Sequence, residues 1–254
     1  MDNYIVLTSL SKLEKDVLKE AIKTVEQFKK RVSYHFHLSS VSWEEYKMFK
    51  KLLKNYNRKN LTDERFAFLF DEPQNSDEEE IVVCDCETTG LNPKVDDIIS
   101  IGAVKIKGNK ILTNQAIHLF VKQDKQISPE SIAIHKIRHC DLDGAMPIDE
   151  AIEKFLYYIG NRKLAGYYLE FDVAMINRYT KPMFGITLPN QQEEVSAIYY
   201  DKKICPIPQS HIDLRFETII NDLSLPKLQA HDALNDAVMT AMIYVKLQQV
   251  KRLY

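Results

Sequence analysis

Three short segments of this chain carry side chains able to hold a divalent cation and to move a proton. They are Cys84-Asp85-Cys86-Glu87-Thr88-Thr89-Gly90-Leu91, Phe171-Asp172, and His231-Asp232-Ala233-Leu234-Asn235-Asp236. Asp85 and Glu87 follow the apolar run Ile81-Val82-Val83. Residues two apart on a strand project to one face, so both carboxylates share a side. Clustered carboxylates repel one another, and a hard cation such as Mg²⁺ or Mn²⁺, which prefers oxygen ligands, removes that repulsion. His231 stands five residues before Asp236, and an imidazole exchanges a proton near neutral pH. Four acids and one histidine are the equipment of two-metal phosphodiester hydrolysis.

In this order, Asp-x-Glu-Thr-Thr-Gly-Leu, Phe-Asp and His-x-Ala-x-x-Asp-Ala resemble the three motifs of the DEDDh 3′–5′ exonucleases. That family includes the polymerase III epsilon proofreading subunit, RNase T and oligoribonuclease, and the resemblance runs from Glu80 to Gln248. It implies an exonuclease using two ions, Mg²⁺ or Mn²⁺, to release nucleoside monophosphates from nucleic acid with a free 3′ end. Asp85 would bridge both ions, Glu87 and Asp236 would complete the water-activating site, Asp172 would support the second ion, and His231 would be the general base. Pro129-Glu130 and Ile134-His135 also resemble a family segment, which makes Glu130 and His135 candidate contacts to the terminal nucleotide. Thr88 and Leu91 would lie beside the terminal sugar and base, and Tyr167 and Phe171 complete the expected substrate-binding set.

One departure stands out. Many relatives carry His-Asn ahead of Phe-Asp, whereas this chain has Tyr167-Tyr168-Leu169-Glu170-Phe171-Asp172. Tyrosines stack on bases and donate a hydrogen bond, but they cannot replace a protonatable imidazole. The departure bears on substrate preference, because all five chemistry-bearing positions remain. Single-stranded DNA, in repair or proofreading, is the leading substrate. RNA trimming of the RNase T or oligoribonuclease type is the alternative, since a pocket for the 2′-hydroxyl is not visible in motifs. A nucleic-acid- or partner-binding module without chemistry stands third, and the intact acids and His231 argue against it.

Elements able to position these segments follow from periodicity. Ser11-Lys12-Leu13-Glu14 reads as a capping box opening a first helix, with Leu13, Val17, Leu18, Ile22, Val25, Phe28 and Val32 on one stripe. Ser42-Trp43-Glu44-Glu45 opens a second, whose polar face carries Lys47, Lys50, Lys51, Lys54 and Arg58. A short third helix is expected from Thr62 to Phe70. His35 and His37 flank Phe36 without a partner cluster and are expected to be structural or exposed. Residues 1–72 therefore read as a small all-helical N-terminal domain, 73–80 as an acidic linker, and 81–254 as the exonuclease domain. In the last segment, Ile- and Val-rich stretches at 81–86, 98–106 and 112–121 predict an antiparallel meander. Helices are expected near 148–159, from 171 and over 232–249, with a strand near 163–167. The fold class is α/β, and the resemblance sharpens it to a ribonuclease H-like domain with a mixed five-stranded sheet.

Charge is unevenly spread along the 254 residues. Residues 1–70 hold 14 Lys/Arg against 9 Asp/Glu, while residues 71–80 hold six acids and no base. A basic first segment is compatible with contact to phosphates; an ordinary solvated helix face explains it equally well. If a polymerase or other protein is engaged, residues 1–70 are the expected surface, because the chain ends at Tyr254 soon after the last helix. Cys84, Cys86, Cys140 and Cys205 show no zinc-like spacing, and Cys84 and Cys86 should pack on the strand face opposite Asp85. Met1-Asp2-Asn3-Tyr4 lacks a basic-then-apolar leader, and no apolar run approaches membrane-spanning length. A cytoplasmic chain without membrane contact is the expectation.

Overall fold

The computed structural model describes residues 43–72, 80–204 and 212–250. The expected first helix, together with His35 and His37, lies outside the described residues. The chain divides into two compact units, Met1–Tyr56 and Asn57–Tyr254. Helix α1 (Trp43–Lys59) is the expected second helix and runs across that boundary.

The larger unit is built on a five-stranded sheet with strand order β3-β2-β1-β4-β5. Strands β1 (Glu80–Thr88), β2 (Ile98–Lys107) and β3 (Lys110–Phe120) form the expected antiparallel meander. Strands β4 (Lys163–Gly166) and β5 (Gln192–Glu194) then add in parallel on the other side of β1. Ile81-Val82-Val83-Cys84 is almost continuously buried, as a strand covered on both faces requires. Val82, Cys84 and Cys86 pack with helices α3 (Ile148–Ile159) and α4 (Leu169–Phe184). Ile81 and Val83 pack with α5 (Val195–Ile204), α6 (Phe216–Asp222) and α7 (Ala233–Gln249). Alternation therefore sends Asp85 and Glu87 to the α7 side. Helix α2 (Pro129–His135) follows the meander; Ser128 caps it through Ser131 N–H, and Lys136 closes it at φ 61°.

Three expectations change. Thr62–Phe70 is a 3₁₀ helix over Glu64–Phe70, and it belongs with the sheet unit. Leu61, Phe66 and Leu69 are buried in the same core as Phe155 and Phe184, and the Phe66 and Phe184 rings lie 4.4 Å apart. Asn57 adds paired bonds to the Thr187 backbone, its Nδ2 donating to the carbonyl at 2.6 Å and its Oδ1 accepting from the N–H at 3.1 Å. Apolar periodicity alone could not tell which core this segment joins. Glu80, expected at the end of the linker, is the first residue of β1 and pairs with Arg162 at 2.8 Å; residues 73–79 lie outside the described residues. The sheet has the expected five strands, but no position had been given for the fifth, β5, and helices α2, α5 and α6 were not expected.

Candidate active site

Strand β1 delivers Asp85 and Glu87 side by side, and the first turn of α7 lowers Asp236 onto them. Each of the three offers a carboxylate oxygen, all within 4.8 Å of one another. Helix α7 can approach this closely because β2 carries Gly102 where it crosses. A Cβ there would stand 2.2 Å from the carbonyl carbon of Ala233. Asp172, in the first turn of α4, is buried, and its Oδ1 accepts from Cys86 N–H at 3.0 Å. It stands outside the group of three, but its charge acts on Asp85.

The electrostatics are those of acids crowded without counter-charge. Burial, then the neighbouring Asp172, Asp236 and Glu87, pushes the Asp85 carboxyl well above the usual range. Burial and the charges of Asp236 and Asp232 raise Glu87 to about 7. Asp236 is raised to about 6 by burial, against the pull of the His231 N–H. Asp172 is raised by burial, and the Cys86 N–H offsets only part of this. Among the described residues no lysine or arginine forms an ion pair with any of the four. Asp236 Oδ1 is buried and lacks a hydrogen-bond partner among them. A buried carboxylate oxygen without a donor is costly. An all-oxygen set in that state fits a hard divalent cation.

His231 is exposed and precedes the α7 cap residue Asp232. Its backbone is left-handed at φ 59°, and its N–H donates to Asp236 Oδ2 at 3.0 Å. Thr88 ends β1 at a bulge, with its hydroxyl donating to Gly90 O at 2.7 Å. Leu91 is 84% exposed. Glu130 is exposed on α2, whereas His135 is buried. The His135 Nδ1 accepts from Ile137 N–H at 3.0 Å, which leaves the Nε2 proton for Ser131 Oγ at 2.9 Å. Ser131 Oγ in turn donates to Thr88 O at 3.2 Å. With both ring nitrogens engaged, His135 ties the end of β1 to helix α2 through Ser131. Tyr167 is likewise anchored, donating to Leu214 O at 3.0 Å and packing on Phe216 at 4.8 Å. Phe171 is partly exposed and stacks with Tyr168 at 6.4 Å.

Three further residues bear on the site without having been expected. Tyr168 is 71% exposed and holds φ 59° at the head of α4, a conformation uncommon for a bulky residue. Glu194 ties two helix starts together: Oε2 accepts from Leu169 N–H at 2.9 Å, and Oε1 from Ser196 N–H at 3.1 Å. Buried Ser100 is the strand partner of Glu87. Only the strand register and the fold bring Ser100 and Glu194 to the site, and motif spacing does not carry that information.

Comparison with known proteins agrees with this geometry. The family model described as Exonuclease matches residues 82–244. A nucleotidyltransferase substrate-binding domain model matches residues 1–36, outside the described residues. A PolC-type DNA polymerase III from Thermotoga maritima is 28% identical over 67% of this chain and 12% of that polymerase. The chain thus spans about an eighth of such relatives. The DNA polymerase III epsilon subunit of Aquifex aeolicus is 28% identical over 65% of this chain and 79% of the subunit. Among solved structures, Exonuclease X in complex with 5′ overhanging duplex DNA aligns with a TM-score of 0.52 and 21% identity, covering 66% of this chain and 90% of that one. E. coli Exonuclease I in complex with a dT13 oligonucleotide aligns at 0.55 and 14% identity, covering 67% and 41%. These two likenesses establish the ribonuclease H-like fold. With 82–244 matched, over half its length, the chain belongs to the exonuclease family, as a domain of DEDDh type.

Proposed function

We propose that this domain is a 3′–5′ exonuclease that releases nucleoside monophosphates from single-stranded DNA ends, with Mg²⁺ or Mn²⁺ and with His231 as general base. The observation that carries the proposal is the convergence of Asp85, Glu87 and Asp236 around the unpartnered Asp236 Oδ1, beside exposed His231. Divalent cations held there by Asp85, Glu87, Asp236 and Asp172 would neutralise the acids, polarise the phosphate and make water more acidic. The chain's own groups do the rest. His231 takes the proton of the attacking water. Water oxygen joins phosphorus, the bond from phosphorus to the 3′ oxygen of the penultimate nucleotide breaks, and that oxygen leaves with a proton from solvent. Cys86 N–H keeps Asp172 from swinging away. Leu91, Tyr168 and Phe171 offer apolar surface to unstacked bases, which favours a single strand. Thr88 and exposed Glu130 flank the terminal sugar, and His135 fixes the strand end beneath it. A polymerase partner, as the likeness to polymerase III chains invites, would be met through residues 1–70.

The test incubates the purified chain with 5′-labelled single- and double-stranded DNA and RNA, with EDTA and then with excess Mg²⁺ or Mn²⁺. Stepwise shortening of single-stranded DNA from the 3′ end, abolished by chelation and restored by metal, supports the proposal. Preferential RNA shortening would overturn the substrate assignment, and activity surviving EDTA would overturn the metal assignment.

A further inference from the structure

Asp85 on β1, Gly102 on β2 and His118 on β3 form one row of cross-strand partners. Such partners share a face of the sheet, so Asp85 and His118 point to the same side, with Gly102 between them. The backbone of Ala233 and Leu234 fills the space that Gly102 leaves, at 2.2 and 2.3 Å from where a Cβ would stand. The start of α7 is therefore flanked by the acid cluster on one side and His118 on the other. The residue just before Ala233 is Asp232. Its Oδ1 accepts from Asn235 N–H at 2.9 Å, which leaves Oδ2 for a second donor, and its charge acts on the His118 ring. The His118 ring lies 4.2 Å from that of Phe120. Its Nε2 is buried with no hydrogen-bond partner among the described residues. Buried polar atoms in folded proteins are nearly always paired.

We propose that His118 is a positioning residue for the turn that carries His231: its Nε2 proton, unpartnered in this structure, turns to the Asp232 carboxylate and holds it. The proposal rests on the reading of His231 as the general base. His231 holds φ 59°, in the left-handed region that few residues other than glycine occupy, histidine being among those that do, and neighbouring bonds hold the turn in that form. The His231 N–H bond to Asp236 Oδ2 draws on a carboxylate that a cation also claims. Asp232 is not among the candidate ligands, so a bond from His118 anchors the turn to the sheet whether or not Asp236 has turned toward metal. If His118 only packed against Phe120, an apolar residue would serve equally well.

The test compares His118→Leu and His118→Gln in the full chain. Hydrogen exchange over residues 229–236 is followed without metal or substrate, and kcat, KM and Mn²⁺ affinity are measured separately. The leucine variant should exchange roughly tenfold faster in that segment. It should lose roughly 10- to 100-fold in kcat while KM and Mn²⁺ affinity hold, and glutamine, which keeps an N–H donor, should recover most of the loss. Leucine behaving as wild type, or glutamine failing as badly as leucine, overturns the proposal. Should the leucine variant not fold, Asp232→Asn keeps a competent helix cap and removes the charge. Faster exchange there supports the proposal, and unchanged exchange overturns it. A wild-type chain without hydrolysis would defeat the nuclease reading and leave the exchange comparison to decide the role of His118.

Discussion

Glu87 and Asp236 hold their protons to about 7 and about 6, above the range in which an unfolded chain releases them. Between that range and about pH 7 the folded state binds more protons than the unfolded one. Stability of the metal-free protein therefore falls as pH rises through this window and levels off above it. The ion-paired carboxyls of Asp141 and Asp213 are held low by Arg138 and Arg215, so their contribution is lost only at more acidic pH. Metal-free chain should melt higher at pH 5 than at pH 8, by the equivalent of a few kcal/mol at most (on the order of one per displaced carboxyl). Glu87→Gln should flatten the difference, and a profile unchanged by that substitution would mean the repulsion is not there. His231→Ala should lower kcat by roughly 10² to 10⁴ with Mn²⁺ affinity by calorimetry nearly unchanged; collapse of that affinity would make His231 a ligand. The convergence of Asp85, Glu87 and Asp236 was legible in the sequence because carboxylates of that type and spacing have few other uses together. The engaged atoms of His135 and Tyr167 were not, since Ile137, Ser131 and Leu214 take up those atoms only once the chain has folded.

At the level of elements, Ile- and Val-rich runs announced the meander, and the helix expected near 148–159 is α3. The fifth strand of the expected sheet could not be placed in the sequence because Gln192-Glu193-Glu194 has no apolar pattern; β5 exists through its pairing with Leu164, Ala165 and Gly166. Helix α2 carried a start signal in Ser128-Pro129, but the segment was read only for its resemblance to a nucleotide-contacting family segment. Gly102 shows why crossing points also escape a sequence reading: nothing around it marks it as the place where α7 meets the sheet. Gly102→Ala should push the start of α7 outward, taking His231 and Asp236 with it. Overpacking of this kind costs about 1–3 kcal/mol, so the melting temperature should drop. Activity should drop further than stability explains, because misplacing a catalytic group by about 1 Å can cost on the order of 10²-fold. Full activity with a lowered melting temperature would show that α7 adjusts without disturbing the site.

The whole molecule divides within α1, at Tyr56 and Asn57, some fifteen residues before the acidic stretch that composition marks as a linker. Two truncations separate these boundaries. Removing residues 1–75 takes away Leu61, Phe66 and Leu69, which are buried with Phe155 and Phe184. At about 1.5–3 kcal/mol for each large apolar side chain withdrawn from a core, the loss is of the order of the entire stability of a typical domain. Removing only residues 1–56 leaves that packing, the Asn57 bonds to Thr187 and the Arg58–Glu64 pair at 2.6 Å. The shorter deletion should melt cooperatively and still degrade short oligonucleotides, while the longer one should be insoluble or largely unfolded at room temperature. If both fold equally well, the core contribution of 57–72 is negligible and the compositional boundary is the true one. The shorter deletion also tests the basic face of α1. It removes four of the five basic residues of the expected face, Lys47, Lys50, Lys51 and Lys54, and leaves Arg58, which pairs with Glu64. Loss of phosphate contacts makes the slope of log affinity against log salt shallower by about 0.7 for each phosphate on a single strand. An unchanged slope would assign that face to a protein partner or to solvent rather than to nucleic acid.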